Sequence, residues 1–474
     1  MKHPYYILGL AAALAVATPS FAQNDGDRND GKYNPTVSGS IQSDMLAPTG
    51  SQSDGSHEDF RTNTFVDLNV MSKYIDAGAR FEYREHQLPG YDAAFKGYGV
   101  PYVYLKAKLK NFEVTVGNFY EQFGSGFVLR TYEERSLGID NSLLGARIVT
   151  TPVKGVRLKA LTGQQRRYWA HNDSWVSGAD VELSLDSWFK GLAQSGTSLT
   201  LGGSFVNKNE RNDEDVPFNG NYRLVMPRNV NAWDARVTLN THGFNVLAEY
   251  AQKTADPSFK NKYIYRKGTA AMLSASYSKK GFSVLAQAKR SDNFFFNSYR
   301  GESLAQSTIN HLPAFTMDQT YALAALYPYG TRLDGEWAYQ GQLGYKFKRK
   351  TAIGGKYGMM VKVNFSHVRG IDQNPRSLTV NVPEPTVLTG RGTDGYGSAF
   401  WKWGKGGMYY QDLNVQVDRR FTRDFKLSLM YMNQFYNKTV VEGEGGMIHS
   451  NIFIADALFN LSPKTRLRTE LQYL

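Results

Sequence analysis

The sequence predicts an all-β protein: a transmembrane antiparallel β-barrel of about 18–20 strands with short periplasmic turns and long extracellular loops. Three observations carry that expectation. The N-terminus has the pattern of a secretory signal. Most of the remaining chain alternates apolar and polar residues with period two. The connections between the alternating runs are short and long in turn.

Composition sets the bounds. Of 474 residues, 41% are hydrophobic and 21% charged, so the chain is too apolar for disorder. A mean hydropathy of −0.45 is too polar for a bundle of membrane helices. Length alone suggests several soluble domains, yet no composition break divides the chain. There are 30 Tyr, 27 Phe and 45 Gly, and no Cys. Without Cys there is no disulfide scaffold, thiolate nucleophile, cysteine metal site or lipidated N-terminal Cys.

Residues 1–22 read as a signal peptide. Lys2 and His3 form a basic start, and Ile7 to Val16 is an apolar stretch too short to span as a helix. Pro19-Ser20-Phe21-Ala22 ends in the small residues of a cleavage site, placing the cut after Ala22. The expected destination is the cell outer membrane. Residues 23–35 read as a flexible leader rich in Asn, Asp and Gly, and 36–474 as the barrel. No other stretch approaches the roughly 18 apolar residues of a membrane helix.

The alternation is explicit. Val103, Leu105, Ala107 and Leu109 interleave with Tyr104, Lys106, Lys108 and Lys110. Trp233, Ala235, Val237 and Leu239 interleave with Asp234, Arg236, Thr238 and Asn240. Phe282, Val284, Ala286 and Ala288 oppose Ser283, Gln287 and Lys289, and Leu413, Val415 and Val417 oppose Asp412, Asn414, Gln416 and Asp418. Each is a strand with one apolar and one polar face. Strands are expected near 36–46, 62–72, 77–87, 99–110, 111–120, 143–152, 154–163, 174–185, 196–207 and 229–240. Others follow near 242–252, 268–279, 281–290, 335–348, 356–368, 408–419, 424–435, 447–460 and 464–474, which makes 19.

Such strands fit a soluble sandwich or a membrane barrel. The barrel is favoured by aromatics at strand ends, among them Tyr102, Trp233, Tyr250, Phe282, Trp337, Phe347 and Tyr431, as in interfacial girdles. It is favoured again by the connections. Leu109-Lys110-Asn111, Thr241-His242-Gly243, Lys279-Lys280-Gly281 and Thr422-Arg423-Asp424 are short, whereas 121–142, 208–228, 291–334 and 370–407 are long. With short turns at the periplasm, 19 strands put the two ends on opposite sides. Single-chain bacterial barrels normally have an even number, so the natural chain is expected to continue past Leu474.

From Val116 to Ile148 the chain reads VGNFYEQFGSGFVLRTYEERSLGIDNSLLGARI. This stretch, with the signal peptide and the strand pattern, resembles a family of large outer-membrane β-barrel proteins of Bacteroidetes, itself of unknown function. The resemblance spans the mature chain and implies fold and location. It brings no catalytic residues. Members of that family look longer at the C-terminus.

The 121–142 segment is the first candidate site. Gly124-Ser125-Gly126 permits sharp turns, and Arg130, Glu133, Glu134 and Arg135 follow as mixed charge in a short span. Folded into a lumen, they would form a constriction with a transverse field; outside it, they would pair with one another in water. The loop aromatics Phe294, Phe295, Phe296, Trp401 and Trp403 could stack on sugars or anchor a protein, or simply pack loop on loop. Net charge is +12. Many bases sit at the short turns, and Lys106, Arg236 and Lys289 fall on the lumen face, which would favour anionic solutes.

There is no G-x-S-x-G elbow, H-E-x-x-H, Walker or dinucleotide loop, so no enzyme and no cofactor is expected. Dispersed bases on a membrane barrel argue against nucleic acid. The expected partners are outer-membrane lipid, the barrel assembly machinery and a small solute or surface partner. The expected function is a porin-like channel for small polar or anionic solutes. The alternative is a non-conducting scaffold or receptor whose long loops bind a surface protein or glycan.

Overall fold

The computed structural model describes residues 35–47, 60–211, 216–218, 222–303, 305–375, 388–390 and 394–474. The expected signal peptide and almost all of the expected leader lie outside these residues. Nineteen strands form one continuous antiparallel sheet in which each strand pairs with its sequence neighbours. We number them β1 (Thr36–Leu46), β2 (Arg61–Met71), β3 (Ile75–Tyr83), β4 (Tyr98–Leu109), β5 (Phe112–Phe119), β6 (Leu143–Thr150), β7 (Val156–Arg167), β8 (Ala170–Ser184), β9 (Thr197–Asn209) and β10 (Asn229–Thr241). The series continues with β11 (Phe244–Lys253), β12 (Gly268–Lys279), β13 (Phe282–Asp292), β14 (Gly335–Phe347), β15 (Met359–Ile371), β16 (Trp403–Arg420), β17 (Phe425–Asn437), β18 (Met447–Asn460) and β19 (Arg466–Tyr473).

The two faces are inverted relative to a soluble sheet. Leu201, Phe205, Trp233, Val237, Leu273, Leu343, Leu429 and Phe453 are exposed on the outside. The alternate residues Ser204, Asp234, Arg236, Glu249, Lys289, Asp412 and Asn414 are buried on the inside. Water on such an outer face would cost about 25 cal/mol per Å² of apolar surface, whereas lipid removes that cost. A continuous ladder satisfies the backbone between strands, as a membrane demands.

The short turns are tight. Thr241 pairs with Phe244, leaving a two-residue loop in which His242 and Gly243 have φ of 46° and 86°. Positive φ at both positions suits a turn whose twist matches the strands it joins. At the other end the strands run longer than the alternation alone suggested. β8 has 15 residues and β16 has 18, so their hairpins project past the lipid band toward the long loops.

The wall is thinned along one row. Gly117, Gly145 and Gly163 are successive cross-strand partners on β5, β6 and β7. A Cβ on Gly145 would sit 2.0 Å from the Thr162 carbonyl oxygen, so only glycine allows the strands this close. The sheet bends around the long loops. At one extreme Arg135 reaches Asp67 on β2, and at the other the Leu323 amide reaches Gln472 on β19. Eighteen antiparallel steps leave β1 and β19 pointing the same way, and among the described residues the outer edge of each is unpaired.

Candidate constriction and interior plug

The 121–142 segment enters the lumen because it carries the apolar run Phe127-Val128-Leu129, which is fully buried together with Phe123. The segment folds on itself: the Phe123 amide donates to the Leu129 carbonyl at 3.0 Å and the Gly126 amide to the Phe123 carbonyl at 2.8 Å. It then pairs with the 293–334 segment. The Arg130 amide donates to the Ile309 carbonyl at 2.8 Å and the His311 amide to the Gly126 carbonyl at 2.9 Å, while within the 293–334 segment the Ile309 amide donates to the Phe296 carbonyl at 2.9 Å. Phe294, Phe296, Ile309, Leu312 and Phe315 join the buried loop residues in one apolar cluster. Its wall side is Leu161, Val176, Val206, Val230, Ala232, Ala251 and Ala270. A smaller cluster seats Tyr321 and Ala324 on Met430, Met432, Ile452 and Ile454 of β17 and β18. The lumen is thus filled in its long-loop half by a plug made of two loops.

Ionic clamps fix the plug to the wall. Arg166 of β7 donates to Asp140 of the loop at 2.6 Å and to Glu82 of β3 at 2.9 Å. Arg80 of β3 pairs with Asp140 and reaches Glu82 at 2.9 Å and Glu133 at 2.7 Å. Arg84 reaches Glu82 at 3.0 Å. Arg80, Glu82, Arg84, Asp140 and Arg166 are all at most 3% exposed. Burial alone would raise the Asp140 carboxyl, but the guanidiniums of Arg166 and Arg80 hold it below the usual carboxylate range. A second clamp joins Glu121 to Lys159 at 2.9 Å and to Arg147, which also reaches Glu113 at 2.6 Å. A third is polar: the Ser125 amide donates to Glu249 of β11 at 3.2 Å.

The four candidate constriction residues separate in the structure. Glu133 and Arg135 pair at 2.7 Å and both join the wall, Arg135 through Asp67 at 2.9 Å. Glu134 instead caps the short turn that follows, accepting from the Ser136 hydroxyl at 2.6 Å. Arg130 lies over the Tyr132 ring, with its backbone in the plug core. It sits near His311, whose pKa is pushed down to about 4 by burial and by the positive charges of Arg130 and Lys289.

The lumen bases are neutralised where they stand. Arg236 is held by Asp180, by Asp234 at 2.9 Å and by Glu182 at 3.2 Å. Lys289 meets Glu336 at 3.0 Å and Thr331 at 2.6 Å. Lys106, nearer the short turns, is half-buried with Glu113 3.7 Å away. Burying these cations required partners, and the partners cancel the positive field that isolated lumen bases would have given.

The loop aromatics divide as well. Phe294 and Phe296 belong to the plug. Phe295 lines a cavity of about 620 Å³ at the long-loop mouth, with Phe259, Tyr263, Lys260 and Lys262. Trp401 is 81% exposed and stacks on Trp337 at 6.3 Å, so this stretch folds onto the outer face. The Trp403 side chain lies outside the described residues.

Sequence reasoning missed the Arg80–Glu82–Arg84 comb. Its signal is present: three charged residues at two-residue spacing, interleaved with Phe81 and Tyr83, on a strand whose outer face meets lipid. Among the described residues, no group of His, Asp and Glu is arranged to hold a metal.

A family model covers residues 2–474. The chain belongs to DUF6029, a family of unknown function. No curated protein matches this family member. Among solved structures it is similar to the Pseudomonas aeruginosa outer membrane protein opdK, with a TM-score of 0.41 and 11% identity over 93% of this chain and 98% of that one. It is also similar to OprD of Pseudomonas aeruginosa, with a TM-score of 0.40 and 11% identity over 93% and 92% of the chains. OccK3 (OpdO) of the same organism gives 0.40 and 11% over 93% and 95%.

Proposed function

We propose that the protein is a porin-like outer-membrane channel for small polar solutes, delivered by a cleaved signal peptide and restricted by its own interior loops. The observation that carries this reading is the polar inner wall. Lining a lumen with Ser, Asn, Asp and Lys serves a water path. Because Arg236 and Lys289 are compensated by Asp180, Asp234 and Glu336, selection rests on size and local dipoles rather than on a net positive field. The test is single-channel recording in planar bilayers. Discrete conductance steps of weak anion–cation preference support the channel. No current from correctly folded protein, both before and after the Arg166 clamp is removed, sinks it.

A second reading has its own support. The plug has an apolar core, and apolar packing excludes water. That favours a non-conducting receptor whose mouth binds a glycan or protein, with the Phe259–Phe295 cavity as the candidate docking point. The same recording separates the two.

A further inference from the structure

The short-turn rim carries a feature that neither reading uses. The β12–β13 and β14–β15 turns stand side by side, because β13 pairs with both β12 and β14. Between them lies a recess of about 1030 Å³. Five cations line it: Lys279, Lys280, Lys346, Lys348 and Arg349. No carboxylate lines it. Some other bases of this rim have acids. Lys108 meets Asp76 at 2.7 Å, Lys426 meets Asp418 at 3.2 Å and Arg468 meets Asp456 at 3.0 Å. In this recess five cations stand together with no acid among the lining residues.

Phe282, Tyr345 and Phe347 form its other wall. Phe282 and Tyr345 are cross-strand partners, next to the outward, exposed pair Val284 and Leu343. Their rings therefore lie where the apolar band ends and the charged turns begin. Aromatic rings at that level mark the headgroup boundary of a membrane.

We propose that this recess binds the headgroup of an anionic phospholipid in the leaflet at the short-turn end. The phosphate sits among the five cations while the acyl chains run along Phe282, Tyr345 and the outer faces of β12 to β14. Clustered basic residues at a membrane boundary attract anionic lipid, and a recess between hairpins gives that attraction a fixed place. The inference rests on the membrane reading of the wall, not on whether the lumen conducts.

Native mass spectrometry of the full-length protein, with phosphatidylglycerol and phosphatidylethanolamine titrated in parallel, tests it. Phosphatidylglycerol adducts are expected at about tenfold lower lipid concentration than phosphatidylethanolamine adducts. The K279Q/K280Q/K348Q/R349Q variant should erase that preference, because these side chains are exposed and their removal spares the wall. The charge-matched K190Q/R420Q/R423Q/K464Q variant, at exposed bases of the same rim, should keep it. Inorganic phosphate in millimolar excess should not displace the lipid; displacement would mean a phosphate site rather than a lipid site. Equal retention of both lipids, or an unchanged preference in the quadruple variant, overturns the proposal. A conductance failure leaves these adducts untouched, so the two claims fail separately.

Discussion

The two halves of the lumen differ in what faces inward. Toward the long loops, inner positions such as Val206, Val230, Ala232, Ala251 and Met432 are apolar and buried beneath the plug. Toward the short turns, the inner positions are polar and partly open: Lys106 and Glu113 keep about a third of their side-chain surface exposed, at 30% and 31%. The same wall thus serves two solvents on its inside, a folded loop core in one half and water in the other. A barrel can hold a hydrophobic core of its own, provided the strands switch the chemistry of their inner register part-way along. The charges follow the same division. Near the plug they are dry and paired as clamps; near the turns they are wet and loosely matched.

The sharpest way to break that comparison is to remove the central clamp. Arg166→Ala leaves Asp140 and Glu82 buried with fewer cations, an arrangement that typically costs about 3–5 kcal/mol. The plug should loosen while the wall persists. Channel conductance should rise, and protease cleavage in 121–142 should appear before strand structure is lost by circular dichroism. Unchanged protease resistance would mean that the clamp does not hold the loop.

Acid should loosen the plug more gently. His311 has its pKa lowered to about 4 from an ordinary value of 6.5, so the released loop binds a proton before the seated loop does. Seating is fully favoured above pH 6.5 and weakens as the pH falls from 6.5 toward 4. Conductance or loop cleavage should increase across that window, and His311→Asn should flatten the dependence. A response centred elsewhere would remove His311 from the account.

The smallest effect belongs to Trp401. Its exposed stacking on Trp337 is an aromatic pair of about 0.5–1.5 kcal/mol, and it sits outside the lumen. Trp401→Ala should leave conductance and plug protection unchanged. A clear change in either would join the outer loops to the gate and favour the receptor reading.

Much of the wall was legible because lipid and backbone chemistry leave few options. Period-two alternation marked all 19 strands, and Thr241-His242-Gly243 marked a tight turn from three residues. The ends of β8 and β16 were misjudged because their outer segments leave the lipid band, so alternation no longer reports the boundary. The plug was half legible. Glycines and mixed charge at 124–135 flagged the loop, but its anchor is the apolar run Phe127-Val128-Leu129, which sequence alone does not distinguish from a strand. Its footprint was also written in the strands: Met430 and Met432 occupy the inner register, where Lys426 and Ser428 are polar. Ion pairs such as Arg166–Glu82 join residues 84 positions apart, and no local pattern announces them.

Side-resolved cysteine labelling tests the two-halves account most directly, since the chain has no Cys to confuse it. Ser276, on the inner face of β12 near a short turn, and Ser291, buried under the plug on β13, are the two sites to compare. In reconstituted protein of known orientation, a membrane-impermeant charged thiol reagent should label Ser276→Cys faster from the short-turn side than from the long-loop side, and Ser291→Cys from neither side. Equal labelling of Ser276→Cys from both sides, or ready labelling of Ser291→Cys, would contradict a plugged long-loop half.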